Sequence, residues 1–229
     1  MTIHFDKINN NLESASAPFG IVRLHSRTGL YRNGMKRAVD VALILLAVPI
    51  IAPLILLLAL LVGLDGYRPF YWSKRVGKEG REFRMLKLRT MVPDADHRLE
   101  EYLASDLTAR REWESTQKLK NDPRTTGIGR ILRKASLDEL PQLWNVLIGD
   151  MSLVGPRPML PNQRAMYPGF AYYALRPGIT GPWQVSDRNE CEFAKRADHD
   201  KAYDEELSFS TDLKLIVRTI GVVLKGTGY

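Results

Sequence analysis

Asp138 and Glu139 stand side by side in the stretch RKASLDELPQLWNVL, between the cations Arg133 and Lys134 and an apolar helical run. Adjacent carboxylates at such a junction suit two jobs. One is structural: Ser136 and Glu139 have capping-box spacing, or Asp138 is itself the N-cap, which places Pro141 at the third helical position, where no intrahelical donor is missed. The other is chemical. A carboxylate among the free amides of a helix N-terminus, close to cations, is held ionised, and such a carboxylate can attack phosphorus. Glu139 can then help bind Mg²⁺, which takes oxygen ligands and bridges phosphates. Arg157 in GPRP and Arg176 in RPG sit on Pro- and Gly-rich loops and can neutralise phosphoryl oxygens bidentately. Basic groups around paired carboxylates suit phosphoryl transfer, whose barrier is dominated by charge stabilisation.

Other chemistry is thinly supported. The chain has no P-loop, no G-x-G-x-x-G, no H-E-x-x-H and no G-x-S-x-G, and its four histidines, His4, His25, His97 and His199, are dispersed. Cys191 is the only cysteine, which excludes an internal disulfide and a Cys-rich zinc site. Asp94 and Asp96 form a D-x-D of the kind that metal-dependent glycosyltransferases use. They also open a helix, where acids favour the positive end of the dipole, and the same structural reading covers Asp198 and Asp200.

Lys and Arg number 33 against 26 Asp and Glu, a net charge of +7, which favours a polyanionic partner. Nucleic acid, anionic lipid and phosphorylated substrates all qualify on charge alone. The run VALILLAVPIIAPLILLLALLVGL, residues 41–64, decides among them. As one continuous helix its 24 residues would measure about 36 Å against a hydrocarbon core of ~30 Å. Pro49 and Pro53 each remove a backbone donor and predict a kink near the middle. Both flanks are basic, with Arg32, Lys36 and Arg37 before the run and Arg68, Lys74 and Arg75 after it. Because cytoplasmic flanks carry the excess of Lys and Arg, a segment that enters, bends at the prolines and returns fits better than a simple span. A nucleic-acid partner leaves both this segment and the carboxylates unexplained.

The remaining elements frame the dyad. Residues 1–35 have the composition of a mobile arm, 36–66 are the re-entrant membrane helix, and 67–229 form a cytoplasmic domain. Phe70–Trp72 and Phe83–Met91 read as strands of a hairpin turning at Gly77–Gly80. Pro93–Leu119 reads as one or two surface helices, with Leu99, Leu103 and Leu107 at four-residue spacing. After the dyad, Leu140, Leu143, Trp144, Leu147, Ile148 and Met151 share a helical face. In the tail, Leu213, Ile216, Val217, Ile220 and Leu224 do the same, with Ser210 or Thr211 as cap and Gly226 as stop. That tail helix either packs on the domain or lies in the membrane interface.

The blocks KRAVDV, RVGKEGREF, KLRTM, NDPRTT, LRKASLDELPQLWNVLIGDMSLVGPRP and RPGITGPWQV, in that order from Lys36 to about Lys225, resemble the bacterial sugar transferases. These are also called monotopic phosphoglycosyl transferases or polyprenyl-phosphate hexose-1-phosphate transferases. The single membrane segment is most similar to the exopolysaccharide-production branch, which moves galactose- or glucose-1-phosphate onto undecaprenyl phosphate. The resemblance implies a membrane-associated mixed α/β protein at the bacterial inner membrane: a re-entrant helix broken at Pro53, a small β-hairpin, and a helical catalytic domain with amphipathic interfacial helices on the cytoplasmic face. It implies that Asp138 attacks the sugar-bearing phosphate of a UDP-hexose, expels UMP and passes the phosphosugar to undecaprenyl phosphate, with Glu139 holding Mg²⁺. It assigns phosphate contacts to Arg133, Arg157 and Arg176, with Lys87 a further phosphate-facing candidate. Membrane lipid is the other partner, and the sequence sets no oligomeric state. Three positions depart from the family pattern: Ala52 where Ser often precedes the breaking proline, Ser73 where Gln is frequent, and Asp187 where Gly is common. A non-catalytic membrane scaffold and a D-x-D glycosyltransferase are the rival readings.

Overall fold

The computed structural model describes residues 29–116, 119–186 and 193–224. Most of the first 35 residues, Asp187 and Gly226 lie outside these ranges. A π-helical turn, Tyr31–Met35, runs directly into helix α1, Lys36–Gly63. The hairpin follows: β1, Phe70–Val76, pairs antiparallel with β2, Glu82–Leu88, placing Tyr71 opposite Lys87 and Ser73 opposite Met85. Its first strand runs four residues further than the sequence suggests and its second starts and ends earlier, because Arg75 and Val76 still find ladder partners in Phe83 and Glu82. Two charged helices come next, α2 (Ala95–Ser105) and α3 (Leu107–Thr116), then α4 (Gly127–Lys134), a 3₁₀ segment Leu137–Gln142, and α5 (Leu143–Ile148). A second sheet is parallel, β3 (Ser152–Val154) beside β4 (Gly178–Thr180), with the short α6 (Ala171–Ala174) between them and α7 (Pro182–Val185) after them. Helices α8 (Arg196–Glu206) and α9 (Phe209–Leu224) complete the described chain.

The parallel pair is not legible in the sequence, where its Gly and Pro residues look like loop. Those glycines allow the approach: a Cβ on Gly178 would lie 2.1 Å from the Gly155 nitrogen, and one on Gly155 2.3 Å from the Arg176 carbonyl. Only hydrogen at these positions lets the GPRP and RPGITG segments lie together.

Helix α1 is joined to the domain at both ends. Near its start, Asp40 is buried, accepting from Ser152 Oγ at 2.6 Å and from the Leu153 amide at 3.2 Å, and Ile44 shares a core with Met85, Val146 and Met151. Arg37 donates to the carbonyls of Val146 and Leu147, and Lys36 pairs with Asp212 at 2.5 Å. Near its end, Leu58, Ala59 and Val62 form a core with Leu88 and Leu132, and Arg89 donates to the Val62 carbonyl at 3.0 Å. Much of the flanking positive charge is therefore tied into the fold. Met85 and Leu88 lie three residues apart on one strand, a distance of about 10 Å. Ile44 and Leu58, which pack in their neighbourhoods, would be about 21 Å apart along a straight helix. Between these attachments, residues 45–57 are nowhere buried, and they carry Pro49 and Pro53. The helix is long and apolar enough to cross a membrane by length and composition, and so apolar a surface left uncovered favours association with a membrane.

Apolar side chains on neighbouring helices are exposed as well. Helix α9 buries Asp212 and Leu215 and turns Phe209, Leu213, Val217 and Ile220 outward, so it both packs on the domain and presents an amphipathic stripe. Its cap is Ser208, whose Oγ accepts from the Thr211 amide at 3.2 Å, rather than Ser210 or Thr211. Trp144 and Ile148, on the helical face shared with Leu143 and Leu147, are about half exposed, since α5 is only six residues long and its buried side is Asn145 and Val146. Asn145 accepts from the Leu86 amide at 2.9 Å and donates to the Arg84 carbonyl at 2.7 Å, which satisfies the free edge of β2.

Candidate active site

The dyad is placed by its neighbours. In the 3₁₀ segment, residues three apart eclipse, so Leu137 and Leu140 fall on one side, packed on the Leu58, Ala59, Val62, Leu88 and Leu132 core. Asp138 and Glu139 are thereby turned to the other side. Ser136, just before, adopts the left-handed conformation (φ 55°), a strain that is costly for a residue with a Cβ. Neither capping arrangement forms: Ser136 makes no side-chain cap bond, and Asp138 lies within the first 3₁₀ turn instead of preceding it. The αL backbone of Ser136 removes the extended N-cap geometry that the capping box needs, and Asp138, already inside the 3₁₀ turn, is not at an N-cap position.

Arg133 comes from α4, whose N-cap Thr126 accepts from the Gly129 amide at 2.9 Å. A Cβ at Gly129 would stand 2.1 Å from the Thr90 carbonyl, so glycine lets α4 press against the end of the KLRTM strand. Arg133 then donates to Thr90 Oγ1 at 2.9 Å and Thr125 Oγ1 at 3.2 Å. Lys87, on β2, reaches Glu139 Oε1 at 2.7 Å and Asp138 Oδ2 at 3.9 Å, and Arg157 lies 3.7 Å from the same Glu139 oxygen. Behind them, Arg124 grips Asp122 bidentately at 2.8 and 2.7 Å under Trp113, and Arg196 stacks 4.2 Å from the Trp183 ring centre.

Asp138 is 7% exposed. Burial pushes its carboxyl above the ordinary 3.8, helped by Glu139 and opposed by Lys87, Arg133 and Arg157. The sequence predicts a carboxylate held ionised by helix dipole and cations; the cations are present, but burial outweighs them and no cap amide assists.

These residues face a cavity of about 1410 Å³, larger than a typical small-molecule pocket. Lys87, Arg133, Asp138, Glu139 and Arg157 all line it, as do Ile51 of α1 and Val223 of α9, so it extends from the charged dyad to the apolar membrane helix. Arg176 stands apart: it is exposed and donates to the Gly149 carbonyl at 2.9 Å. Asp94 and Asp96 border the cavity too, and Asp94 makes no capping bond. Asp200 does not: it is buried and accepts from the Tyr167 hydroxyl at 2.9 Å. Sequence reasoning missed Arg75, Arg124 and Arg196, all cavity-lining. Strand alternation from Tyr71 would have found the first; the other two depend on tertiary stacking. Among the described residues no group of three His, Cys, Asp or Glu could hold a metal unaided.

A hidden acid pair, ringed by cations and open to a membrane helix, is matched by the family model for bacterial sugar transferases over residues 31–226. The chain belongs to that family. It is 43% identical over 221 residues to the exopolysaccharide production protein ExoY of Rhizobium meliloti, covering 94% of this chain and 96% of the relative. It is 42% identical over 224 residues to a UDP-galactose-lipid carrier transferase of Erwinia amylovora, covering 97% of this chain and 44% of the relative. It is 39% identical over 199 residues to an undecaprenyl-phosphate glucose phosphotransferase of Komagataeibacter xylinus, covering 81% and 35%. The chain thus spans nearly all of the Rhizobium relative and less than half of the other two.

Proposed function

We propose that this sugar transferase moves a hexose-1-phosphate, galactose or glucose, from a UDP-sugar to undecaprenyl phosphate, releasing UMP, as the first membrane step of exopolysaccharide assembly. The observation that carries the reading is the placing of buried Asp138 and half-buried Glu139 among Lys87, Arg133 and Arg157 in a cavity that also touches Ile51. A water-soluble phosphate ester and a lipid phosphate can meet only where polar and apolar walls join.

In this reading an Asp138 carboxylate oxygen attacks the sugar-bearing phosphorus, the bond from that phosphorus to the bridging oxygen breaks, and UMP leaves with the electron pair. A phosphate oxygen of undecaprenyl phosphate then attacks the same phosphorus and the Asp138 carboxylate leaves, regenerated. Lys87 and Arg157 draw Glu139 and the incoming phosphoryl oxygens together, and Arg133 steadies the charge on Asp138. Two adjacent carboxylates suit Mg²⁺, which is held by one or two acids while phosphates and water complete its shell; Glu139 would hold it, and its charge would offset that of the phosphates. The uncovered middle of α1 enters the bilayer, bends at Pro49 and Pro53 and returns, leaving the domain on the cytoplasmic face.

The test is nucleotide release from UDP-galactose and UDP-glucose by purified wild type and Asp138→Asn, in detergent with Mg²⁺ and undecaprenyl phosphate. UMP from the wild type only is the expected outcome. Release of UDP would instead select a conventional glycosyltransferase working through Asp94 and Asp96, and equal activity in the variant would sink the aspartyl mechanism.

A further inference from the structure

Strand β1 alternates, and one face sends Tyr71, Ser73 and Arg75 toward the cavity. Arg75 has no part in the mechanism above, yet it shares the cavity wall with Glu139 and Arg157. The other cations there have partners: Lys87 and Arg157 reach Glu139, and Arg133 is held by Thr90 and Thr125. The Nε of Arg75 is buried with no hydrogen-bond partner. A guanidinium is rigid, planar and carries five donors, so a half-buried arginine beside another arginine, with its buried Nε donor unused, has a donor left for a further anion. Burial, together with the charge of Arg157, pulls its pKa down to about 10, and Glu139 compensates only in part. At neutral pH it therefore remains a cation.

We propose that Arg75 and Arg157 act as a two-guanidinium clamp on the oxygens of a substrate phosphate ester, with Arg75 supplying the contact that the dyad's other cations do not. This rests on the phosphosugar-transfer reading. Two esters visit the cavity in that reading, the donor diphosphate and the lipid monophosphate, and both present the anionic oxygens a guanidinium fork recognises. The rival role for Arg75 is packing of its stem in the hairpin.

The experiment uses the full-length protein in detergent, as wild type, Arg75→Lys and Arg75→Ala. Loss of a charge-assisted hydrogen bond predicts a kcat/KM lower by about 10- to 100-fold in Arg75→Ala, with Arg75→Lys between the two. Added methylguanidinium should restore Arg75→Ala and leave the wild type unchanged, a readout that packing would not move. A UMP burst measured without acceptor locates the contact: a reduced burst assigns it to the donor, and an intact burst with slowed lipid transfer assigns it to the acceptor. Wild-type kinetics in Arg75→Ala would overturn the clamp, as would a loss of activity that tracks a fall in Tm and resists methylguanidinium. If the wild type itself releases no UMP from either donor, the transfer reading fails separately. Inorganic pyrophosphate binding to wild type and Arg75→Ala then decides the clamp alone: equal affinity overturns it, and weaker binding in the variant supports it.

Discussion

Replacing Lys87 with methionine leaves two neighbouring carboxylates in a buried site with their nearest cation gone. The Lys87–Glu139 pair is 2.7 Å apart with both side chains 18% exposed, and Asp138 lies 3.9 Å from the same ammonium. At an effective dielectric constant of about 20 the closer contact is worth roughly 6 kcal/mol of gross attraction, most of it offset by the cost of desolvating both charges. Removing one partner of a buried pair costs about 3–5 kcal/mol, and the residual exposure here lowers that to roughly 2–3. In a chain of 229 residues, each kcal/mol shifts Tm by about 2–4 °C, so Lys87→Met should melt ~4–12 °C below the wild type. Glu139→Gln in the Lys87→Met background should cost little more, because the unpaired charge it removes is the source of the penalty. The assay is thermal and urea unfolding of the two single variants and the double variant at one ionic strength, read as a double-mutant cycle. Additivity within about 0.5 kcal/mol would refute the pairing and the electrostatic account of the site. A corollary concerns activity: without Lys87, burial is opposed only by Arg133 and Arg157 at Asp138, so the acid limb of the turnover profile should move to higher pH.

Other outcomes follow from the same structure. Asp200 is raised from 3.8 to about 7 chiefly by burial; a carboxyl whose folded pKa is raised contributes stability that is fully present below 3.8 and lost as pH rises through about 7. Asp200→Asn should therefore gain on the wild type across that window, by at most roughly 4 kcal/mol at pH 8 and nothing near pH 3, in pH-dependent urea unfolding. Ile50 is 77% exposed on α1, a position where a soluble protein tolerates charge; Ile50→Arg should cost about 2.5–3.5 kcal/mol of membrane insertion and move protein out of the membrane fraction on centrifugation. Pro53→Leu should straighten α1 and carry one flank to the far side, read by cysteine labelling on both sides of the membrane; an unchanged labelling pattern would assign the bend to Pro49.

What the sequence showed and what it concealed divide along the range of the interactions. The hairpin, the two helices after it, the apolar segment and the dyad all carry local signals: alternation, helical spacing, 24 uncharged residues in a row, two adjacent acids. The state of Asp138 is not legible locally, because its conformation depends on Ser136 adopting αL and on Leu137 and Leu140 binding a core that includes the far end of α1. Local capping rules do not see that core. The β3–β4 pair was hidden for a similar reason, since its strands are three residues long and hold together through glycines separated by more than twenty positions. Trp144 and Ile148 follow the helical period but face outward, because the period predicts a shared face and not which solvent it meets. With a bilayer as one of the solvents, an exposed tryptophan is not an error of patterning.

The same packing gives the membrane helix a hold on the chemistry. Leu58, Ala59 and Val62, at the end of α1, share one core with Leu137 and Leu140, the residues that aim Asp138 and Glu139. At its start, α1 reaches the parallel sheet through Asp40 and Ser152, and that sheet leads into the Arg157 loop. A change in how α1 sits in the bilayer would thus move the dyad and its arginine together. Substituting Ala59 with leucine overfills this core, at about 1–3 kcal/mol, from a position that is not itself in the cavity lining but packs behind Leu88, Leu137 and Leu140, which are. We expect it to lower kcat more than KM for the donor, and reconstitution into thinner or thicker bilayers should change the size of the defect. A variant that loses stability and donor affinity in equal measure, with no response to bilayer thickness, would show that α1 only anchors the enzyme and does not help set its active site.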